Sequence, residues 1–275
     1  MTSSDTPQSL PKRFGSFSGV FVPTFLSIIG VILFLRLGTV VGNAGALGAV
    51  LIVLLATSIT FCTGLALSSI TTNIRIGSGA AYSIISKTLG LEVGGSVGIP
   101  LYLAQVFSVA LYLLGFAEAW LFLFPDHPIK VVVVGAFAAL ALLTAISTAI
   151  AIRAQQVVFV VVIASLVSIF LGGGNWISNI LDTPLLGSFP ETSFWSMFAL
   201  FFPAVTGLMA GIGLSGELTD PKRQIPRGVL SSLLITTIIY LAMIFWFSHS
   251  ASTADLLGNT LIIVELAANG PIVLL

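Results

Sequence analysis

Apolar residues in this chain come in long runs, and polar residues gather in the gaps between them. The runs fall at about 20–41, 49–69, 97–122, 129–150, 157–171, 194–215 and 229–247, and an eighth begins near Leu261. Most approach the roughly 20 residues that a helix needs to cross a bilayer. The short alternating stretches of an outer-membrane barrel are not seen. The pattern predicts an all-α polytopic membrane protein.

The gaps read in several ways. Residues 1–19 are polar and predict an N-terminal tail, with Lys12 and Arg13 just ahead of the first run. The segments 42–48, Pro125 with Pro128, and 172–175 read as turns. Thr71 to Gly95 carries Arg75, Lys87 and Glu92 and reads as a surface loop with a short interfacial helix. Arg153, Gln155 and Gln156 read as a link before the fifth run, and Pro221 and Pro226 are expected to interrupt any helix before the seventh.

Two runs are not uniform. The sixth holds Phe201-Phe-Pro-Ala-Val-Thr-Gly-Leu-Met-Ala-Gly211 at its centre. Proline removes a backbone donor and clashes with the preceding turn, and glycine lets the chain leave helical geometry. The first run shares the feature, with Val22-Pro23-Thr24 leading to Ser27-Ile-Ile-Gly-Val-Ile32. In lipid a broken helix survives only where its freed polar groups face protein, water or solute. Matched interruptions in two halves point to a transporter's binding site. An odd number of segments from one to the other inverts the second. The competing reading is that Pro and Gly only kink or pack these helices; the pairing of the two favours a site.

A break of this kind exposes carbonyls at the end of one half and amides at the start of the other. The carbonyls attract cations and the amides attract anions. The apolar part of the sixth run holds no ionisable residue, and the first has only Arg36, toward one end. Ion binding would then rest on backbone with the hydroxyls of Ser27, Thr206 and Tyr112. An organic cation would call for a buried carboxylate or an aromatic cage. Ser27 and Thr206 equally fit plain bonds to their own helix carbonyls. Glu118, near the outer end of the third run, and Glu265, in the last, are acids that should face protein or water. The connector 216–228 sets Glu217 and Asp220 against Lys222, Arg223 and Arg227, which fits either a gate of salt bridges or an ordinary solvated link.

Composition and charge narrow the class further. The 275 residues are 57% hydrophobic and only 7% charged, with mean hydropathy +1.13, against roughly 25% charged in soluble domains. The net charge of zero gives no pull toward nucleic acid. The single Cys62 excludes an intramolecular disulfide. No phosphate-binding loop, metal cluster or nucleophile–base pair stands out, and the only histidines, His127 and His249, fall in outer loops, so no enzyme is predicted. With the N-terminus in the cytoplasm, eight of the ten basic residues fall in cytoplasmic segments, which is the positive-inside arrangement. Arg36 and Lys130 are the exceptions.

Several stretches resemble the cation-chloride cotransporter family of the amino acid-polyamine-organocation superfamily. They are Phe14-Gly with Ile29-Gly-Val-Ile-Leu-Phe-Leu-Arg-Leu37, Gly79-Ala-Ala-Tyr82, and Val106-Phe-Ser-Val-Ala-Leu-Tyr-Leu-Leu-Gly-Phe-Ala-Glu118. The sixth run follows, continuing as Leu214-Ser-Gly-Glu-Leu-Thr-Asp-Pro221, and then Asn269-Gly-Pro-Ile272. The resemblance implies a fold of two inverted five-helix repeats (5+5) with discontinuous helices 1 and 6. It implies secondary active transport of potassium with chloride, and of sodium in some members, by alternating access. Carried onto this chain, the potassium site is Ser27, Ile28, Tyr112, Pro203 and Thr206. One chloride site is Gly30, Val31 and Ile32, and the other Gly207, Leu208 and Met209. Many members have Asn-Ile-Trp where this chain has Ser27-Ile28-Ile29. A backbone role survives that change, whereas side-chain selectivity need not.

The expected layout is a cytoplasmic tail at 1–19, the first five-helix repeat at 20–172 and an extracellular loop at 173–192. The start of the second repeat, helices 6, 7 and part of 8, takes up 193–275. A stop inside the apolar Pro271-Ile-Val-Leu-Leu275 reads as a truncated product, so this polypeptide is expected to be only part of a transport unit. The expected surroundings are the lipid bilayer of the plasma membrane and inorganic ions (K+, Cl− and, as an open third, Na+). No cofactor is expected, no metal beyond the transported cation and no nucleic acid; a homodimer is left open. Two alternatives stand beside this reading: an amino acid or amine permease of the same superfamily, and a non-transporting membrane fragment or partner subunit.

Overall fold

The computed structural model describes residues 14–73, 80–172, 184–190, 192–270 and 273. Most of the expected tail, with Lys12 and Arg13, lies outside these residues, as do Arg75, Asp182, Glu191 and Pro271-Ile272. The described chain is almost wholly helical. Its one β-type pairing, among the described residues, is a parallel bridge between Phe14 and Leu218.

Among the described residues, seven segments are long and apolar enough to cross a membrane: Phe17–Leu35, Leu37–Asn73, Leu91–Leu123, Ile129–Ile146, Ile150–Leu171, Phe194–Glu217 and Pro221–Ser250. The first is the most enclosed, 61% buried in its most apolar stretch, and Ile129–Ile146 is 0% buried. The first span is thus the centre of the bundle, and the fourth lies at its edge, where bare Val and Leu suit a lipid neighbour.

Span 1 is discontinuous, as expected. A short π-helical turn, Phe17–Phe21, leads into α1 (Val22–Ile28), and α2 (Val31–Leu35) follows after a break. The next helix, α3 (Leu37–Asn73), continues through the expected 42–48 link with a single non-helical residue, Gly45, at φ 69° and ψ 175°. A Cβ at Gly45 would lie 2.6 Å from the Gly187 amide nitrogen and the Pro184 carbonyl. The loop ahead of span 6 is pinned here: the Gly187 amide donates to the Ala44 carbonyl at 2.8 Å and the Leu47 amide to the Leu185 carbonyl at 2.8 Å. Glycine is therefore required twice over at this turn, by φ and by space.

The expected interfacial helix is α4 (Ala80–Leu89), but the third span, α5 (Leu91–Leu123), starts at once after Gly90 instead of near Val97. The fourth span is α6 (Ile129–Ile146), and α7 (Thr148–Leu171) follows after one extended residue, Ser147. Arg153, Gln155 and Gln156 are therefore helical, and the link falls earlier than their polarity suggested. Span 6 comprises α8 (Phe194–Phe201), a 3-10 turn (Phe202–Thr206), α9 (Leu208–Gly213) and a 3-10 turn at Ser215–Glu217.

The seventh span, α10 (Pro221–Ser250), corrects the expectation that its prolines interrupt it. Pro221 occupies the first helical position, where its missing N–H would have no partner anyway. Pro226 lies in the second turn and removes one internal bond, which the long helix tolerates. Beyond it come α11 (Thr253–Gly258) and α12 (Ile262–Leu266). Within the described residues the expected eighth span is only the short α12, tied to α7 where the Ala268 amide donates to the Ser168 carbonyl at 3.0 Å. Spans 1 and 6 run in opposite senses and both break midway, the arrangement of an inverted repeat.

Candidate functional site

The site is built from the two breaks. At Ile29 (φ −83°, ψ 57°) and Gly30 (φ −105°, ψ −154°) the backbone leaves helical geometry. Carbonyls at the end of α1 and amides at the start of α2 therefore fall outside a continuous ladder and need other partners. The break in span 6 is milder than a full unwinding. It is a 3-10 turn ending at Gly207 (φ −67°, ψ 11°). The two breaks touch: a Cβ on Gly207 would lie 2.5 Å from the Ser27 Cβ and 3.2 Å from the Ile28 amide nitrogen.

Neighbouring elements hold each half in place. Phe17, Phe21 and Phe25 stack along the entry of span 1, and Phe25 meets Phe159 of α7 edge-on at 5.2 Å between ring centroids. On α5, Gly115 leaves room for Val31 to pack against the helix backbone. Past α2, one Arg36 guanidinium nitrogen donates to both Glu118 carboxylate oxygens, at 3.1 and 3.3 Å. Two residues that the sequence placed singly near membrane surfaces are thus partners. At the other end, the Phe14 amide donates to the Glu217 carbonyl at 2.9 Å and the Thr219 amide to the Phe14 carbonyl at 3.2 Å. The connector is held by backbone: Arg223 and Asp220 pair at 3.8 Å with side chains 79% and 50% exposed, so that pair is a solvated contact and no gate.

Between the breaks lies a cavity of about 100 Å³. Ser27, Ile28, Tyr112, Pro203 and Thr206, the expected cation set, all border it. So do Gly30, Val31 and Ile32, and Gly207 and Met209 of the second anion set. Leu208 is buried and does not border it. The Tyr112 hydroxyl donates to the Ser27 carbonyl at 3.0 Å. The Thr206 hydroxyl donates to the Pro203 carbonyl at 2.7 Å, the local bond that its position in a helix invites. None of the residues bordering this cavity is an Asp, Glu, Lys or Arg. Glu265 is exposed on α12, away from it.

Sequence reasoning missed several site residues. Gln105 and Ser108 border the cavity from α5. Together with Tyr112 they recur at three- and four-residue steps, which sets them on one helix face. That spacing was the available signal. Tyr240 of α10, completely buried, donates its hydroxyl to the Ile28 carbonyl at 2.7 Å. A second cavity of about 580 Å³ shares Ser27, Gln105 and Tyr112. It continues past Ala151, Gln155 and Leu214 toward the face that carries Phe14.

Two facing broken helices around a small void with no charged side chain on its border, inside a bundle of apolar spans, form the layout of a membrane permease. A family model described as "Amino acid permease" matches residues 19–274, and the chain belongs to that family. It is 36% identical over 253 residues to solute carrier family 12 member 2 of Homo sapiens, covering 84% of this chain and 21% of that protein. It is 36% identical over 255 residues to member 1 of Mus musculus (84% and 23%). To member 3 of Homo sapiens it is 35% identical over 268 residues (88% and 26%). The chain thus spans 21% to 26% of the length of these relatives. They agree with the resemblance drawn from the motifs, and they are transporters, not enzymes.

Proposed function

We propose that this chain contributes the central ion site of a plasma-membrane secondary transporter that moves potassium together with chloride, with sodium as an open third ion. The observation that carries the reading is the small cavity between the breaks, bordered by residues of both breaks, by the hydroxyl residues Ser27, Ser108, Tyr112 and Thr206, and by no charged side chain. A void of about 100 Å³ takes several water-sized bodies. That suits partly dehydrated inorganic ions. The Ser27, Ile28 and Pro203 carbonyls and the Tyr112 and Thr206 oxygens offer a cation neutral ligands. The amides about Gly30 to Ile32 and Gly207 to Met209 offer an anion donors, and both sets cluster at one place. Binding one ion lowers the cost of binding the other, because opposite charges a few ångströms apart in a poorly solvated site attract. Residues 20–172 supply the first repeat and 193–275 enter the second. The solute carrier likenesses support ion cotransport.

The family description favours a second reading, an amino acid permease. The close approach of Gly207 to Ser27 argues against it, because it leaves little room between the breaks for a zwitterion with a side chain.

The test is rubidium uptake by cells producing the whole transport unit that contains this chain. The expected result is uptake that falls when chloride is replaced by gluconate, and a Tyr112→Phe variant whose half-saturation for rubidium rises about tenfold, the loss of one charge-assisted ligand. Uptake indifferent to chloride, or competition by neutral amino acids, would overturn the reading.

A further inference from the structure

Resting on the cation site proposed above, we propose that Tyr240 is a positioning residue that fixes the Ile28 carbonyl and ties the two helix breaks to each other. In an unbroken helix the Ile28 carbonyl would accept from the amide four residues on. The turn at Ile29 and Gly30 takes it off that ladder. Tyr240 supplies the replacement, at 2.7 Å from the opposite side of span 1.

The two tyrosines at the first break have different surroundings. Tyr112 is 38% exposed and borders the cavity, so its hydroxyl can meet an ion. Tyr240 is 0% exposed and does not border it. Its hydroxyl reaches the ion only through the carbonyl. A carbonyl oxygen has two lone pairs. With one held by Tyr240, the Ile28 group has a set direction and keeps the other pair for the cavity that Ile28 borders.

The ring does a second job. It meets Phe201 edge-on, with centroids 5.0 Å apart and planes at 87°. Phe201 is the last residue of α8, directly before the 3-10 turn that bears Pro203 and Thr206. One buried side chain therefore touches the first break through its hydroxyl and the second through its ring. Tyr240 also continues a polar stripe on α10 with Ser232 and Thr236, all completely or almost completely buried and four residues apart. The Ser232 hydroxyl shares its one hydrogen between its own Gly228 carbonyl at 2.8 Å and the Phe21 carbonyl at 3.0 Å, so the stripe meets span 1 at two heights, and only the Tyr240 contact falls at the break.

Tyr240→Phe keeps the ring against Phe201 and removes the hydroxyl alone. Ser232→Ala removes the other contact and leaves the break untouched. Rubidium and chloride binding to the detergent-purified full chain are read as ion-dependent rises in melting temperature, which needs no turnover. Tyr240→Phe is expected to raise the rubidium half-saturation about threefold to tenfold, with chloride changed less than about twofold, the size of one lost hydrogen bond acting on one ion. Ser232→Ala is expected to leave the rubidium value nearly where it was. Unchanged rubidium affinity in Tyr240→Phe overturns the role. So does equal weakening of both ions, or the same shift in Ser232→Ala, either of which marks a general packing effect. No rubidium protection in the unaltered protein overturns the cation site itself, and the Tyr240 role with it.

Discussion

Gly207 is where the break of span 6 comes against the break of span 1. A single methyl there would meet the Ser27 Cβ at 2.5 Å and the Ser27 backbone carbon at 3.1 Å, with no flexible side-chain tip to give way. Gly207→Ala is expected to force the breaks apart and lower rubidium uptake by about fivefold or more, since overpacking a tight contact costs about 1–3 kcal/mol. Gly95→Ala, whose Cβ meets nothing within 4 Å, serves as the comparison. Equal uptake by the two variants would show that the breaks can separate freely. At this scale the sequence was legible where a residue breaks a rule. Pro203, Gly207 and Gly30 do so, and all sit at the breaks. Tyr240 breaks none. A tyrosine in an apolar helix is ordinary, and its hydrogen-bond partner lies 212 residues away along the chain, a distance that no local pattern encodes.

Helices were legible through their apolar runs, and their ends were not. Polarity predicts links at 153–156 and 216–228, yet the first stretch is helical, and so is the second from Pro221 onward. A helix end is set by backbone satisfaction and tertiary contact more than by the polarity of a few side chains. Arg153 can extend from a helix near the membrane surface as readily as from a loop. The reverse holds at 42–48, where one residue in a left-handed conformation does the work expected of a flexible link. Gly45→Ala is expected to lower stability by at least about 1–3 kcal/mol from strain alone, with further loss from collision with the Pro184–Gly187 backbone. Thermal unfolding in detergent measures it. Gly135→Ala, in open space on α6, should instead hold or raise the midpoint. A Gly45→Ala midpoint equal to that of the parent would mean that the loop is not pinned at this turn.

For the molecule as a whole, the spans put the basic residues on opposite faces in unequal numbers. Lys87, Arg153, Lys222, Arg223 and Arg227 lie toward the face that carries Phe14 and the Leu218 connector. Lys130 and Arg36 lie toward the other, and Arg36 is neutralised by Glu118. A cytoplasmic leaflet attracts each such charge by about 1 kcal/mol, and insertion follows the same asymmetry. The face with Phe14 should therefore be cytoplasmic, and the 580 Å³ cavity then opens inward from the site. Two single-cysteine variants in a Cys62→Ser background decide it. Asp126→Cys sits in the turn between α5 and α6, and Leu89→Cys, 65% exposed in the parent residue, sits at the end of α4 on the opposite face. In intact cells a membrane-impermeant maleimide should label Asp126→Cys and reach Leu89→Cys only after permeabilisation. The reverse pattern would invert the protein, make the larger cavity an outward vestibule, and turn the uptake experiments into measurements of the opposite half-cycle.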